Sequence, residues 1–318
     1  MKLIIQIPCL NEEQTLPQVV RDLPKSIPGF DQIEILVVDD GSTDRTVAVA
    51  NEMGVHHVLS LGHNCGLARA FSAGLQHALS LGADVIVNTD GDNQYCGADV
   101  AKLVEPILLQ NADIVVGCRP IDAHPEFSPL KKMLQKAGSF TLRSLSQTTV
   151  RDAASGFRAF SRTTAQHIFV YSRFSYCMET LIQAGNRQMN VISVDIRVNP
   201  KTRDSRLFKS LPEYLFKSGG TMLTMFLYYQ PSRLFGALAA VSFGGALALG
   251  LRFVYLVYFT SHPEPNRTYI PSLILMTVLA VFGGGLAMLA VITELMRAQS
   301  RLLEELLFEQ RRQSDSRK

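Results

Sequence analysis

The run Asn88-Thr89-Asp90-Gly91-Asp92-Asn93-Gln94 sets two carboxylates one glycine apart, directly after a short apolar stretch. Carboxylates so spaced can turn toward one hard cation, and oxygen ligands with positions left open suit Mg²⁺ or Mn²⁺ bridged to a diphosphate. A metal there neutralises charge on a departing nucleotide, so the leaving group needs no proton. The same letters also make an ordinary Asx-rich turn, and a lone Asp-x-Asp does not choose between the two.

A second acidic pair, Asp39-Asp40, also closes an apolar run. Its expected work is hydrogen bonding to a base and ribose hydroxyls, with Pro8, Asn11 and Glu12 forming the opposite wall. The glycine fingerprint of a dinucleotide site is replaced by Pro8-Cys9-Leu10-Asn11-Glu12, which disfavours a nicotinamide oxidoreductase. Gly41-Ser42-Thr43-Asp44 reads as a turn and helix entry, with Ser42 or Thr43 available to cap a helix from about Arg45.

Basic residues form the third component: Arg119, Lys131, Lys132, Arg143, Arg158 and Arg203 all follow the acidic half. A phosphate-bearing acceptor entering beside a diphosphate needs positive charge, and arginine grips such oxygens bidentately. Arg119 and Arg158 stand out because they adjoin Val115-Val116-Gly117 and Ser155-Gly156-Phe157. Asp152 could serve as general base toward an alcohol acceptor. A phosphate monoester, already anionic, needs no such base, and Asp152 then organises the metal or the arginines. The spacing of His56, His57, His63 and His77 joins no carboxylate into a metal cage, and the five cysteines contain no CxxC pair.

These groups must be held by elements that recur along the chain. Lys2–Ile7, 34–38, 84–88 and 113–116 are β-branched apolar runs, separated by helical stretches at 16–23, 46–53, 67–79 and 100–109. Strands alternating with helices predict an α/β fold with a mostly parallel sheet covered on both faces. The acidic turns then fall where open α/β sheets bind ligands. Residues 191–198 alternate as a strand should, and 208–229 is helical with an apolar face that would lie in a membrane interface or pack on the sheet.

The chain has 318 residues, 47% of them hydrophobic, and carries a net charge of +3. Residues 234–251 and 270–293 contain no charge, and helices of such length cross a bilayer. Glycines at 236, 244, 245, 250 and 283–285 offer smooth faces for close helix contact and a possible homo-oligomer. Basic residues flank both spans, whereas the short loop between them, beyond the Arg252 that ends the first, carries only Arg267 with His262 and Glu264, so both flanks are expected in the cytoplasm. The opening residues do not read as a signal peptide. The expected organisation is a cytoplasmic catalytic domain over 1–206, an amphipathic juxtamembrane helix over 207–230, a transmembrane hairpin over 231–294 with spans near 234–259 and 270–293, and an amphipathic cytoplasmic tail over 295–318. Membrane lipids are expected partners, and nucleic acid is not.

Five segments together resemble a family 2 glycosyltransferase of the GT-A fold, close to the dolichol-phosphate mannose synthase and polyisoprenyl-phosphate glycosyltransferase group. They are Ile5-Gln6-Ile7-Pro8-Cys9-Leu10-Asn11-Glu12-Glu13, Val37-Val38-Asp39-Asp40-Gly41-Ser42-Thr43-Asp44, Asn64-Cys65-Gly66-Leu67, Asp90-Gly91-Asp92-Asn93-Gln94 and Asp152-Ala153-Ala154-Ser155-Gly156-Phe157-Arg158. The resemblance implies inverting transfer of a hexosyl group from UDP-hexose or GDP-mannose, with an undecaprenyl-type phosphate attacking the anomeric carbon directly. It implies Mg²⁺ or Mn²⁺ at Asp90, Asp92 and Gln94, with Asp152 as the further candidate catalytic residue. Nucleotide contacts would come from Pro8, Asn11, Glu12, Asp39, Asp40 and Gln94, and acceptor-phosphate contacts from Arg119, Lys132, Ser139, Arg158 and Arg203. Around Lys132 the chain departs from the family's arginine and serine pattern, with Lys131, Lys132, Gln135 and Ser139 in place. Transfer to another lipid or polysaccharide hydroxyl with Asp152 as base, or a noncatalytic membrane scaffold, are the competing readings.

Overall fold

The computed structural model describes residues 1–120, 148–170, 176–200, 230–259 and 270–316, with the single positions 220, 224 and 227. The chain divides into two compact units, one holding the sheet and the other holding the two long C-terminal helices as far as Leu307.

Seven strands form the sheet: β1 (Lys2–Cys9), β2 (Gln32–Asp39), β3 (His57–Ser60), β4 (Val85–Asn88), β5 (Ile114–Cys118), β6 (Arg158–Ser161) and β7 (Val191–Asp195). Their order is β3-β2-β1-β4-β6-β5-β7. β1 is central and buried from Leu3 onward, which is why it reads as a continuous apolar run and not as an alternation. Pro8 is tolerated there because β4 pairs only with Leu3–Gln6, so no ladder bond on that side needs its missing N–H. The chain runs from β1 outward through β2 to β3, then returns to lay β4 on the other side of β1. This reversal opens a crevice at the carboxyl ends of β1, β2 and β4.

Helices α1 (Leu16–Asp22), α2 (Thr46–Glu52), α3 (Leu67–Ser80) and α4 (Val100–Leu108) follow the expected positions closely, and α5 (Arg162–His167) and α6 (Tyr176–Asn186) come after β6. α3 packs on β1 and β2 through Gly74, where a Cβ would stand 2.7 Å from Gln6 Oε1 and from Val38. The entry to α2 differs from expectation. Ser42 Oγ accepts from Asn11 N, while Asp44 Oδ1 takes the Thr46 N–H at 2.9 Å. Asp44, the residue before the N-cap Arg45, therefore accepts from the first helical residue, and neither Ser42 nor Thr43 caps the helix.

Among the described residues, β6 is the one strand antiparallel to its neighbours, pairing with β4 and β5. Because it runs backward, the residues leading into it, 152–157, arrive at the same sheet end as the acidic turns. Arg158 opens the strand and is fully buried. Its guanidinium donates to the carbonyls of Ala153, Ser155 and Cys177 and to Thr180 Oγ1 at 2.6–2.8 Å. This corrects its expected role: with four donors consumed by main chain and Thr180, Arg158 ties the 152–157 approach to α6 and does not present itself to an acceptor phosphate.

In the second unit, α7 (Pro231–Tyr258) and α8 (Ile270–Ser316) are helices of 28 and 47 residues. Both contain stretches long and apolar enough to cross a membrane. Few of the residues in those stretches are buried, and large apolar side chains such as Val241 and Val281 are more than 70% exposed, as a soluble core helix would not be. The two helices approach closely at Gly283, where a Cβ would stand 3.3 Å from Phe243 and Ser242. Ser232 Oγ donates to Glu294 at 2.7 Å, and Arg297 adds a second donor to the same carboxylate. The stretch expected as an amphipathic tail over 295–318 is helical as far as Ser316, as the C-terminal part of α8.

Replacing Arg158 by methionine keeps much of its volume and strands the carbonyls it serves. The unfolding free energy is expected to fall by about 3 kcal/mol, read from denaturant unfolding of the detergent-solubilised chain by tyrosine fluorescence.

Candidate active site

The loop after β1 is built on Asn11, which takes a left-handed conformation at φ 56°. Its Oδ1 accepts from the amides of Thr43 and Asp44, at 2.8 and 3.3 Å, so the first and second loops are stitched together. Glu12 is buried and donates its own N–H to Thr46 Oγ1 at 2.8 Å. Thr15 Oγ1 stands 2.7 Å from the Gly91 carbonyl and 2.8 Å from the Glu12 carboxylate, which joins this wall to the Asp90–Asp92 turn.

Asp39 and Asp40 are both buried, and both spend acceptor capacity on the protein. Asp39 takes the Ser42 N–H at 2.9 Å and the Ser60 hydroxyl at 2.8 Å. Asp40 takes the Cys65 and Gly66 amides at 2.7 and 2.9 Å, which holds the loop before α3 against the second acidic turn. Gly41 makes that approach possible: at φ 78°, a Cβ on it would lie 2.5 Å from the His63 carbonyl carbon. A carboxylate has about four lone-pair sites, so two protein bonds still leave room for ribose or base donors.

Asp90 and Asp92 are half-buried at the end of β4. Burial first, and then the nearby Asp92 charge, push the Asp90 carboxyl up to about 7, while Arg119 and a hydrogen bond from Tyr95 pull the other way. Gln94 N–H donates to Asp92 Oδ1 at 3.1 Å, and Asn199 N–H donates to the Gln94 carbonyl at 2.9 Å. The Gln94 main chain therefore shapes the turn, and its side chain stays half-exposed beside the two carboxylates. Among the described residues no cluster of three or more His, Cys, Asp and Glu side chains could hold a metal ion. Two repelling carboxylates with few further protein ligands fit a hard cation that completes its shell with diphosphate and water, and do not fit a closed protein cage.

Opposite this turn stands Arg119, at the end of β5. Asp152 is buried, and its Oδ2 and Oδ1 accept from Arg119 Nε at 2.7 Å and Nη2 at 3.0 Å in a fork-to-fork pair. The Arg119 N–H adds a third bond to Oδ2 at 3.3 Å. The charge of Asp152 is thus spent on aiming an arginine toward Asp90. Lys132, Ser139 and Arg203, with Lys131 and Arg143, lie outside the described residues.

The sequence assigns no site role to Tyr95, Gly156 or Asn199. Tyr95 follows the acidic motif directly, and that adjacency was the available signal. Gly156 lies within a quoted motif, but what it meets is visible only in three dimensions. Asn199 gives no local signal: it donates through Nδ2 to the carbonyls of Asn93 and Tyr95, both at 3.2 Å, across a separation of more than a hundred residues.

A model of glycosyl transferase family 2 matches residues 4–169 of the chain. A UDP-N-acetylglucosamine–dolichyl-phosphate N-acetylglucosaminyltransferase of Methanococcus voltae is 33% identical over 213 residues, covering 60% of this chain and 83% of the relative. A polyprenol monophosphomannose synthase of Mycolicibacterium smegmatis is 29% identical over 204 residues, covering 61% and 76%. Among solved structures, glucosyl-3-phosphoglycerate synthase from Mycobacterium tuberculosis, in complex with Mn²⁺, UDP and phosphoglyceric acid, superposes with a TM-score of 0.55 at 22% identity, covering 71% of this chain and 77% of that one. The sheet and its helices thus have the GT-A architecture.

The raised Asp90 carboxyl has a signed consequence. An unfolded aspartate loses its proton near 3.8, whereas folded Asp90 keeps it to about 7. Between those values the folded state binds more protons, so its stability falls as pH rises through that window. In metal-free buffer Asp90→Asn should abolish this part of the decline and raise the thermal midpoint at pH 7.5. Differential scanning fluorimetry of both proteins across pH 4.5–8 reads the difference.

Proposed function

Because the chain belongs to glycosyl transferase family 2 and is a glycosyltransferase, we propose that it transfers a hexosyl group from a nucleotide-sugar to a polyprenyl phosphate, with inversion at the anomeric carbon. The donor is a UDP-hexose or GDP-mannose, and the acceptor is of the undecaprenyl or dolichyl type. Relatives whose names specify polyprenyl and dolichyl phosphates support the acceptor class.

One observation carries the choice of a phosphate over a hydroxyl. Asp152, the carboxylate available as base on the acceptor side, is buried and bidentately paired with Arg119. An alcohol acceptor needs a base with an oxygen within reach of its proton; an anionic phosphate needs none. It does need a cation, and Arg119, held rigidly by its partner, supplies one whose direction is set before the acceptor arrives.

The division of labour follows from position. Asn11, Glu12, Asp39 and Asp40 line the nucleoside end, where buried carboxylates accept from ribose and base donors. Asp90 and Asp92, with Gln94 beside them, would hold Mg²⁺ or Mn²⁺. When bound, the cation stabilises charge on the departing nucleoside diphosphate. Arg119 receives the acceptor phosphate, one oxygen of which forms the new bond to the anomeric carbon as the bond to the donor phosphate breaks. Electrons of the breaking bond leave with the nucleoside diphosphate, and no proton moves.

The apolar stretches of α7 and α8 are proposed to cross the membrane as a hairpin, with the sheet unit and the C-terminus on the cytoplasmic side. A membrane-anchored enzyme meets a lipid acceptor in two dimensions, which raises its effective concentration.

The purified chain, incubated with undecaprenyl phosphate, Mn²⁺ and a panel of nucleotide sugars, should yield one charged glycolipid by mass spectrometry. No such product across the panel would sink the proposal. Asp152→Asn separates it from the hydroxyl reading: a loosened Arg119 should raise the acceptor KM about tenfold with an unmoved pH profile. Loss of kcat together with loss of the acid limb would favour a catalytic base.

A further inference from the structure

We propose that Gly156 is a positioning residue: its lack of a side chain is what lets the Asp90 carboxylate lie where it can share a cation with Asp92. The inference rests on reading Asp90 and Asp92 as the seat of a divalent cation, and adds the surface against which one of the two carboxylates is set.

Gly156 is buried, and its backbone stays outside the left-handed region, so conformation alone would admit alanine. Space would not. A Cβ on it would stand 2.8 Å from Asp90 Oδ1, 3.0 Å from Asp90 Oδ2 and 2.7 Å from the Tyr176 hydroxyl. Even an attractive C–H···O contact keeps its carbon about 3.3 Å or more from the oxygen. Both carboxylate oxygens therefore lie over the face of Gly156 that a side chain would occupy, and a methyl group there must displace something.

The main chain of Gly156 is held from both sides. Its N–H donates to the Tyr95 hydroxyl at 3.1 Å, and its carbonyl accepts from Asn88 Nδ2 at 2.8 Å. The Asn88 amide is fixed in turn, because its Oδ1 accepts from Gln6 Nε2 at 2.9 Å on the central strand. One residue on, the Phe157 carbonyl accepts the Gly117 N–H at 2.9 Å, and the Phe157 ring lies on Tyr95 with centroids 5.1 Å apart. Tyr176 is no freer: it is buried and stacked on Phe71 with centroids 4.0 Å apart and planes 10° from parallel. Asp90, by contrast, is a half-buried side chain with two rotatable bonds. Unpairing a buried amide or carbonyl costs more than turning one side chain off its rotamer, so Asp90 is the group that yields. Since both of its oxygens meet the methyl, exchanging one for the other brings no relief. The carboxylate swings as a whole, off the position it shares with Asp92.

Gly156→Ala is compared with the wild-type chain, and again in a Tyr176→Phe background, which keeps the stacked ring, removes the 2.7 Å contact and leaves the methyl facing the Asp90 oxygens. Mn²⁺ binding to the full chain in detergent would be measured by electron paramagnetic resonance with UDP present, and GDP in a parallel arm. In the Tyr176→Phe background the added methyl should leave the thermal midpoint near that of its parent yet weaken Mn²⁺ binding about tenfold. Saturating Mn²⁺ should return turnover to near the parent's rate, because the carboxylate is displaced and not removed. Mn²⁺ affinity unchanged by the methyl in either background that folds, turnover that stays low at saturating Mn²⁺, or loss of folding in both backgrounds would each overturn the proposal while leaving the metal site standing. A wild-type chain that binds no Mn²⁺ with either nucleotide would overturn the site reading and this inference together.

Discussion

Asp90 and Asp92 stand on one turn at the end of a buried strand, where desolvation and mutual repulsion both disfavour the charged pair. Folding alone gives no reason to place them so, and the surrounding groups are arranged to tolerate the cost. Thr15 takes the Gly91 carbonyl, Gln94 donates to Asp92, and Asn199 holds the outgoing main chain. Tyr95 and Arg119 offset part of the charge of Asp90 without neutralising it. Net negative potential survives at one point of a site otherwise closed by hydrogen bonds, and a cation with a bound diphosphate is what such a point attracts.

The same constraint governs the facing side of the site, where Arg119 stands. A buried carboxylate next to an acidic turn would worsen the repulsion, and Asp152 avoids this by forming a bidentate pair with Arg119. A buried ion pair adds little net stability, since desolvation consumes most of the Coulomb gain. Its benefit is geometric: the guanidinium has one direction. Arg158 shows the complementary use of the same residue type, with its donors turned inward to fasten the segment that carries Asp152 and Gly156. Two arginines thirty-nine positions apart in the sequence thus divide the work, one facing the site and one holding its frame.

The second unit answers a different physical demand. Its two long helices leave large apolar side chains uncovered, and water would penalise that surface while lipid would not. Close contact at Gly283 and the Ser232–Glu294 bond join the helices to each other by packing and hydrogen bonding, the forces that remain when the surroundings are as apolar as the side chains.

Much of this was legible in the order of residues. The first four expected strands and the first four helices appear within a few residues of their expected places, because apolar periodicity and turn chemistry are local properties. The acidic turns were legible for the same reason, since each ends a strand and strand ends in α/β sheets face a common crevice. The direction of β6 was not, because a four-residue strand carries no mark of its polarity, and only its pairing with β4 and β5 brings Asp152 and Gly156 to the site. The fate of each arginine was equally hidden. Arg119 and Arg158 looked alike beside their glycine-bearing segments, and only the partners each meets in the fold, Asp152 for one and main-chain carbonyls for the other, separated them. Sequence by itself determined which chemical groups this protein owns and the period on which they recur. Tertiary structure decided which of them meet, because a hydrogen bond such as that from Asn199 to Tyr95 joins residues whose separation along the chain carries no information about their separation in space.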